Sequence, residues 1–133
     1  MGALDIAWVE IVALLAVIQL LVFGMLVGRA RMTYGIKAPA TVGHEVFERY
    51  YRVQTNTIET LVVFLPALWI SAKYWSPQLI ALIGVVYLVG RMLYWRGYVR
   101  DPKQRGVGYM LSALPTLALI AAGLAGAVKA LLR

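Results

Sequence analysis

The chain contains no cysteine, which excludes disulfides, thiolate metal sites and a cysteine nucleophile. Any thiol chemistry must therefore use a thiol brought in by a substrate. There is one histidine, His44, so a His-rich metal centre is excluded as well, and no metal is expected. Charge is scarce: 14% of residues are charged, against roughly 25% in an ordinary soluble domain. Apolar residues take their place, at 62% of the sequence with a mean hydropathy of +0.76. That is the composition of a multi-span membrane protein. The net charge of +7 does not point to nucleic acid, because the basic residues lie between apolar runs, as the positive-inside rule arranges them.

Hydropathy and turn residues predict four spans, at about 6–27, 58–75, 77–98 and 106–131. The expected fold is all-α: one membrane domain over residues 1–133, a four-transmembrane-helix bundle with up-down topology. The first span lacks a basic n-region and a small-residue cleavage site, so it reads as a retained helix rather than a signal peptide. Gly24 and Gly28 form a GxxxG pair that would admit a close helix neighbour. Gly35, Pro39 and Gly43 break the connection that follows, and Thr41 is the expected N-cap of the second helix. Pro66 and Pro115 predict bends within the second and fourth spans. Ser76-Pro77 marks a tight turn, and Asp101-Pro102 breaks a second basic loop at 99–105.

Four spans put both chain ends on one side. Arg29, Arg31, Lys37, Arg49, Arg52, Arg96, Arg100, Lys103 and Arg105 flank the first and third connections, against Lys73, Lys129 and Arg133 on the other side. This asymmetry predicts termini outside and both basic loops in the cytoplasm.

One stretch stands apart, Glu45 to Pro66. On a helical wheel Glu45, Arg49, Arg52, Asn56 and Glu59 fall within about 80° of one another, a polar stripe that runs straight into the lipid-type sequence 61–65. Ionisable groups at such depth are costly unless paired or lining a wet cavity, so they mark a candidate site. In the third span Tyr87, Arg91, Tyr94 and Tyr98 share a face, and Arg105 lies just past the loop. Arg forks bind carboxylates bidentately, Glu59 suits an ammonium, and Asn56 both donates and accepts. The set predicts a cytoplasm-side cationic pocket for a small anionic ligand with carboxylates and an amine. The plainer alternatives are an i,i+4 ion-pair ladder (Glu45–Arg49, Glu48–Arg52) on a solvated helix extension, an interfacial belt of Tyr94, Trp95 and Tyr98, and a snorkelling Arg91. Glu10, the only acid within the first span, leaves open a small cation exporter.

The run Phe47 to Glu59, of the pattern FERxYRxQxNxxE, resembles the membrane-associated proteins in eicosanoid and glutathione metabolism, the MAPEG family. The runs Gly90 to Tyr98 and VGRAR before Tyr34 are similar to the family as well, and the likeness covers essentially the whole chain. The resemblance implies a homotrimer with glutathione bound as co-substrate between subunits. It assigns Arg52, Asn56, Glu59, Tyr94 and Tyr98, with Arg91 on the same face, to glutathione, and Arg31 and Gln54 to contacts from a neighbouring subunit. Arg105 matches the arginine that stabilises the glutathione thiolate. The implied activity is a membrane transferase or peroxidase acting on lipophilic electrophiles or lipid hydroperoxides from the bilayer. The alternative is a non-catalytic lipid-binding scaffold, as in one branch of the family. Two positions depart from the leukotriene C4 synthase pattern: Thr60 stands in place of a tyrosine and Met32 in place of a second arginine. Both argue against leukotriene synthesis and for a broader substrate range.

Overall fold

The computed structural model describes residues 2–133. Four long helices account for nearly all of it: α1 (Ala3–Tyr34), α2 (Glu45–Tyr74), α3 (Pro77–Arg100) and α4 (Gly106–Leu131), with a 3-10 turn over Pro102–Arg105 between the last two. Each is long and apolar enough to cross a membrane. The protein is an all-α, integral multi-pass membrane bundle, as expected. α1 packs on α2 and α3, α4 packs on the same two, and α2 and α3 touch across the middle. The first and last helices therefore occupy opposite corners.

Three boundaries differ from the sequence reading. α1 continues past Val27 for two further turns, so Arg29 and Arg31 stand on the helix rather than in a loop. Hydropathy marks where lipid ends, not where helical hydrogen bonding ends. The actual stop is Gly35, whose left-handed backbone (φ 69°) is open to glycine without a Cβ penalty. At the head of α2 the N-cap is His44, not Thr41: the His44 Nδ1 accepts from the Val46 N–H at 3.1 Å, and its ring stacks on Tyr34 at 4.0 Å. α3 likewise runs on to Arg100, and most of the expected basic loop is the 3-10 turn capped by Asp101, which accepts from the Lys103 N–H at 3.0 Å.

The mid-bundle core joins Val12 and Ala16 of α1, Phe64 and Leu68 of α2, Tyr87 of α3 and Leu119 of α4. Phe64 and Tyr87 stack nearly parallel at 3.8 Å between ring centroids. The closest helix approach is made by α3 and α4. A Cβ on Gly90 would lie 2.5 Å from the Leu111 carbonyl carbon, and one on Gly108 would lie 2.1 Å from the Tyr94 nitrogen. The GxxxG pair of α1 does not serve this purpose within the chain: Gly28 has open space around it and Gly24 meets only the Gln54 side chain. In α4, Gly123 and Gly126 are buried against α2, whereas Ala121 and Ala125 are exposed. The end of the bundle that holds the α2–α3 turn is tied by polar contacts. Gln78 donates to Asp5 at 2.7 Å and the Trp75 indole donates to the Ala122 carbonyl at 2.7 Å.

Candidate functional site

The polar stripe of α2 separates into three levels. At the top, Arg49 pairs with Glu45 and also reaches across to α3, donating to the Val99 and Arg100 carbonyls at 3.2 Å each. These are among the last carbonyls of α3, left without partners by the end of the helix. Arg49 thus caps α3 where the helix dipole favours a cation. The Glu48–Arg52 rung of the plainer ion-pair ladder does not form among the described residues. Glu48 instead accepts from the Gly43 N–H at 3.1 Å, which fastens the turn ahead of α2.

One turn down, Arg52 and Glu59 meet at 3.4 Å, with side-chain exposures of 49% and 60%. A contact this long and this exposed contributes little to stability. Both groups are consequently free to exchange partners, the guanidinium for a carboxylate and the carboxylate for an ammonium.

Beneath them the stripe turns inward. Asn56 is buried against α3, and its Oδ1 accepts from both Nη atoms of Arg91 at 2.9 Å. Arg91 is completely buried, so it neither snorkels nor opens to a ligand. Arg91 Nη1 also donates to Thr60 Oγ1 at 2.9 Å, and Thr60 contacts the Tyr87 hydroxyl at 3.0 Å. The Arg91 guanidinium lies over the Tyr94 ring at 4.2 Å, a cation–π arrangement favoured in a desolvated place. Tyr98 follows one turn on, tilted against Tyr94 at 5.5 Å. Arg105 is exposed at the end of the 3-10 turn, with Nη1 donating to the Pro102 carbonyl at 2.8 Å. Arg52 of α2 and Arg105 of the 3-10 turn both bear electrostatically on the Tyr94 hydroxyl of α3, and all three lie toward the same end of the bundle.

Arg31 and Gln54 are held elsewhere in the chain. Arg31 donates to the Ala40 carbonyl at 2.7 Å and lies over the Phe47 ring. Gln54 lines an apolar groove of about 460 Å³ with Leu20, Gly24 and Ile58. Glu10 is exposed on α1. Sequence reasoning saw Thr60 only as a departure from a tyrosine and missed its bond to Arg91, and it missed the reach of Arg49 to α3. The first was signalled by its position four residues after Asn56 and the second by its place opposite the end of α3.

A four-helix membrane protein with a cationic, tyrosine-walled polar site at one end of the bundle is the class these features define. The MAPEG family profile matches residues 9–125, and the chain belongs to that family. It is 43% identical over 120 residues to an uncharacterized protein of Synechocystis sp., covering 90% of this chain and 88% of the other. It is 38% identical over 109 residues to human microsomal glutathione S-transferase 2, covering 82% and 74%. With leukotriene C4 synthase of Cavia porcellus it shares 36% over 136 residues, covering 96% and 91%.

Proposed function

We propose that this protein is a glutathione-dependent membrane transferase that activates the glutathione thiolate for attack on lipophilic electrophiles, with reduction of lipid hydroperoxides as a second outlet. The observation that carries the reading is the loose, exposed Arg52–Glu59 pair one turn from the buried Asn56–Arg91 contact, with Tyr94 stacked under Arg91 and Tyr98 against it. Glutathione carries two carboxylates, one ammonium and a thiol. Arg52 takes a carboxylate, Glu59 the ammonium, and Asn56, Tyr94 and Tyr98 orient the peptide. Arg31 and Gln54, remote from this cluster in one chain, reach it from the next subunit of a homotrimer. The site opens to the cytoplasm, with both termini on the opposite side, and residues 1–133 act as a single domain.

Arg105 supplies the chemistry. A free thiol has a pKa near 8.5 and is mostly protonated at neutral pH; an adjacent guanidinium favours the anion and lowers that value. The thiolate sulfur then bonds to an electrophilic carbon as the leaving group departs with the bonding pair. With a hydroperoxide, the thiolate attacks the terminal oxygen and the O–O bond breaks, giving a lipid alcohol and a glutathione sulfenic acid. A second glutathione reduces the sulfenic acid, yielding the disulfide and water.

Thr60 and Met32 distinguish the site from the leukotriene C4 synthase pattern and support a broader electrophile range. The competing reading, a non-catalytic lipid-binding scaffold, draws on the apolar α2–α4 groove of about 350 Å³ around Pro66 and Gly123. Calorimetry on purified protein in detergent decides between them, followed by turnover of an aryl halide. Glutathione binding with turnover supports the transferase; fatty-acid binding with no glutathione heat overturns it.

A further inference from the structure

The Asn56 amide has one carbonyl oxygen and one NH₂, and only the oxygen can face Arg91, because a guanidinium donates and never accepts. Both Nη atoms of Arg91 close on that oxygen at 2.9 Å. The orientation is therefore set by chemical necessity. A second grip holds the guanidinium itself. Thr60 has one hydrogen and two lone pairs: it donates to the Thr57 carbonyl at 3.1 Å and accepts from Arg91 at 2.9 Å. Toward the Tyr87 hydroxyl, 3.0 Å away, only acceptance is left. Tyr87 is pinned in turn by its stack on Phe64. Arg91, Tyr87 and Thr57 are fully buried, while Asn56 keeps 8% exposure. Its Nδ2 has no partner among the described residues and is not among the enclosed atoms, so the NH₂ is the part of the amide that reaches the surface.

We propose that Arg91 is a positioning residue: by gripping the Asn56 carbonyl it makes this part of the site donor-only, selecting an oxygen acceptor, above all a carboxylate, on the bound thiol peptide. Arg91 has no acid within 4 Å among the described residues, and this uncompensated positive charge favours an anionic acceptor further. The proposal rests on the glutathione reading for the identity of the ligand, not for the orientation of the amide. Thr60 enters as the residue that holds the grip in place, which gives the position a structural role in this chain.

The test uses the full chain in detergent, with glutathione and its two monoamides as probes. Asn56→Asp keeps the shape of the side chain, gives Arg91 an acid partner, and replaces the outward NH₂ with an acceptor. Wild type is expected to bind one of the two monoamides about tenfold more weakly than glutathione, the size of a single charge-assisted hydrogen bond. In Asn56→Asp that preference is expected to vanish or invert, with overall glutathione affinity lowered. Thr60→Val, which loosens the grip on Arg91, narrows the same ratio, whereas Thr60→Ser restores it. An unchanged ratio in both Asn56→Asp and Thr60→Val overturns the proposal. Thermal unfolding separates it from the glutathione reading. Asn56→Asp must be at least as heat-resistant as wild type, since Arg91 then faces a carboxylate, and a fall of several degrees overturns the amide orientation whatever the ligand. Wild type that binds no glutathione, with that heat resistance intact, overturns the glutathione reading and the ligand selection built on it, leaving the orientation supported.

Discussion

Arginines in this protein do opposite work according to depth. Arg52 is half-exposed and loosely paired, so Arg52→Ala is expected to change the unfolding temperature little, with less than about 1 kcal/mol at stake. Its effect belongs in binding: glutathione affinity measured by calorimetry should drop at least tenfold, as a charge-assisted fork is lost. Arg91 is fully buried with three hydrogen bonds. Arg91→Ala leaves the Asn56 carbonyl unsatisfied beside a cavity, takes one of Thr60's partners away, and should cost about 3 kcal/mol or more, seen as a large fall in heat resistance. The sequence placed both residues on polar faces at helical spacing, and that part was legible. Their separation into an exposed, loosely paired group and a buried scaffold was not, because depth depends on which way α2 and α3 are rotated toward each other. Thr60 shows the same limit. Comparison with a tyrosine at that position presents it only as a departure, and it is the packing of α3 that makes it a hub.

At the scale of elements, helix ends and crossings decide the geometry. Arg49 joins α2 to the carboxyl end of α3 through two carbonyls, while its partner Glu45 is 78% exposed. Arg49→Gln is expected to speed amide exchange over Gly97–Asp101 and to cost about 1–2 kcal/mol. Glu45→Ala should be nearly silent. The α3–α4 crossing gives a sharper contrast. Gly108→Ala would drive a Cβ into the Tyr94 backbone, whereas Gly106 has nothing within 4 Å. Gly108→Ala should shift Tyr94 and reduce both stability and glutathione binding; Gly106→Ala should do neither, as unfolding and calorimetry on the pair will show. Four helices and their order were readable from apolar runs and from Pro and Gly punctuation. The helix ends beyond the apolar runs were not, since α1 carries two turns past Val27 that hydropathy cannot see. The GxxxG pair of α1 did not name its neighbour either, because small residues permit close approach by any helix, and within this chain's described residues none takes the place.

For the whole molecule, one chain brings Arg52, Asn56, Glu59, Tyr94, Tyr98 and Arg105 to one end of the bundle and leaves Arg31 and Gln54 on other surfaces. A site completed between subunits predicts complementation. Subunits carrying Gln54→Ala mixed with subunits carrying Arg105→Ala should regain part of the activity absent from either alone, through interfaces where both faces are intact. Equal loss in the mixture would place each site within one chain. Membership of the MAPEG family was readable from the run Phe47 to Glu59, whose spacing is long enough to be specific.

The central claim is that this site makes a thiolate, and ultraviolet absorbance of the thiolate reads it directly. Titrating glutathione into the detergent-purified protein, with pH scanned from 5 to 9, should give a thiolate midpoint well below the ordinary value near 8.5. Thiolate is then abundant at neutral pH and lost as the pH falls through that lowered midpoint. In Arg105→Ala the midpoint should move back up toward the free-thiol value, with glutathione still bound. An Arg105→Ala titration that overlays wild type would contradict the account.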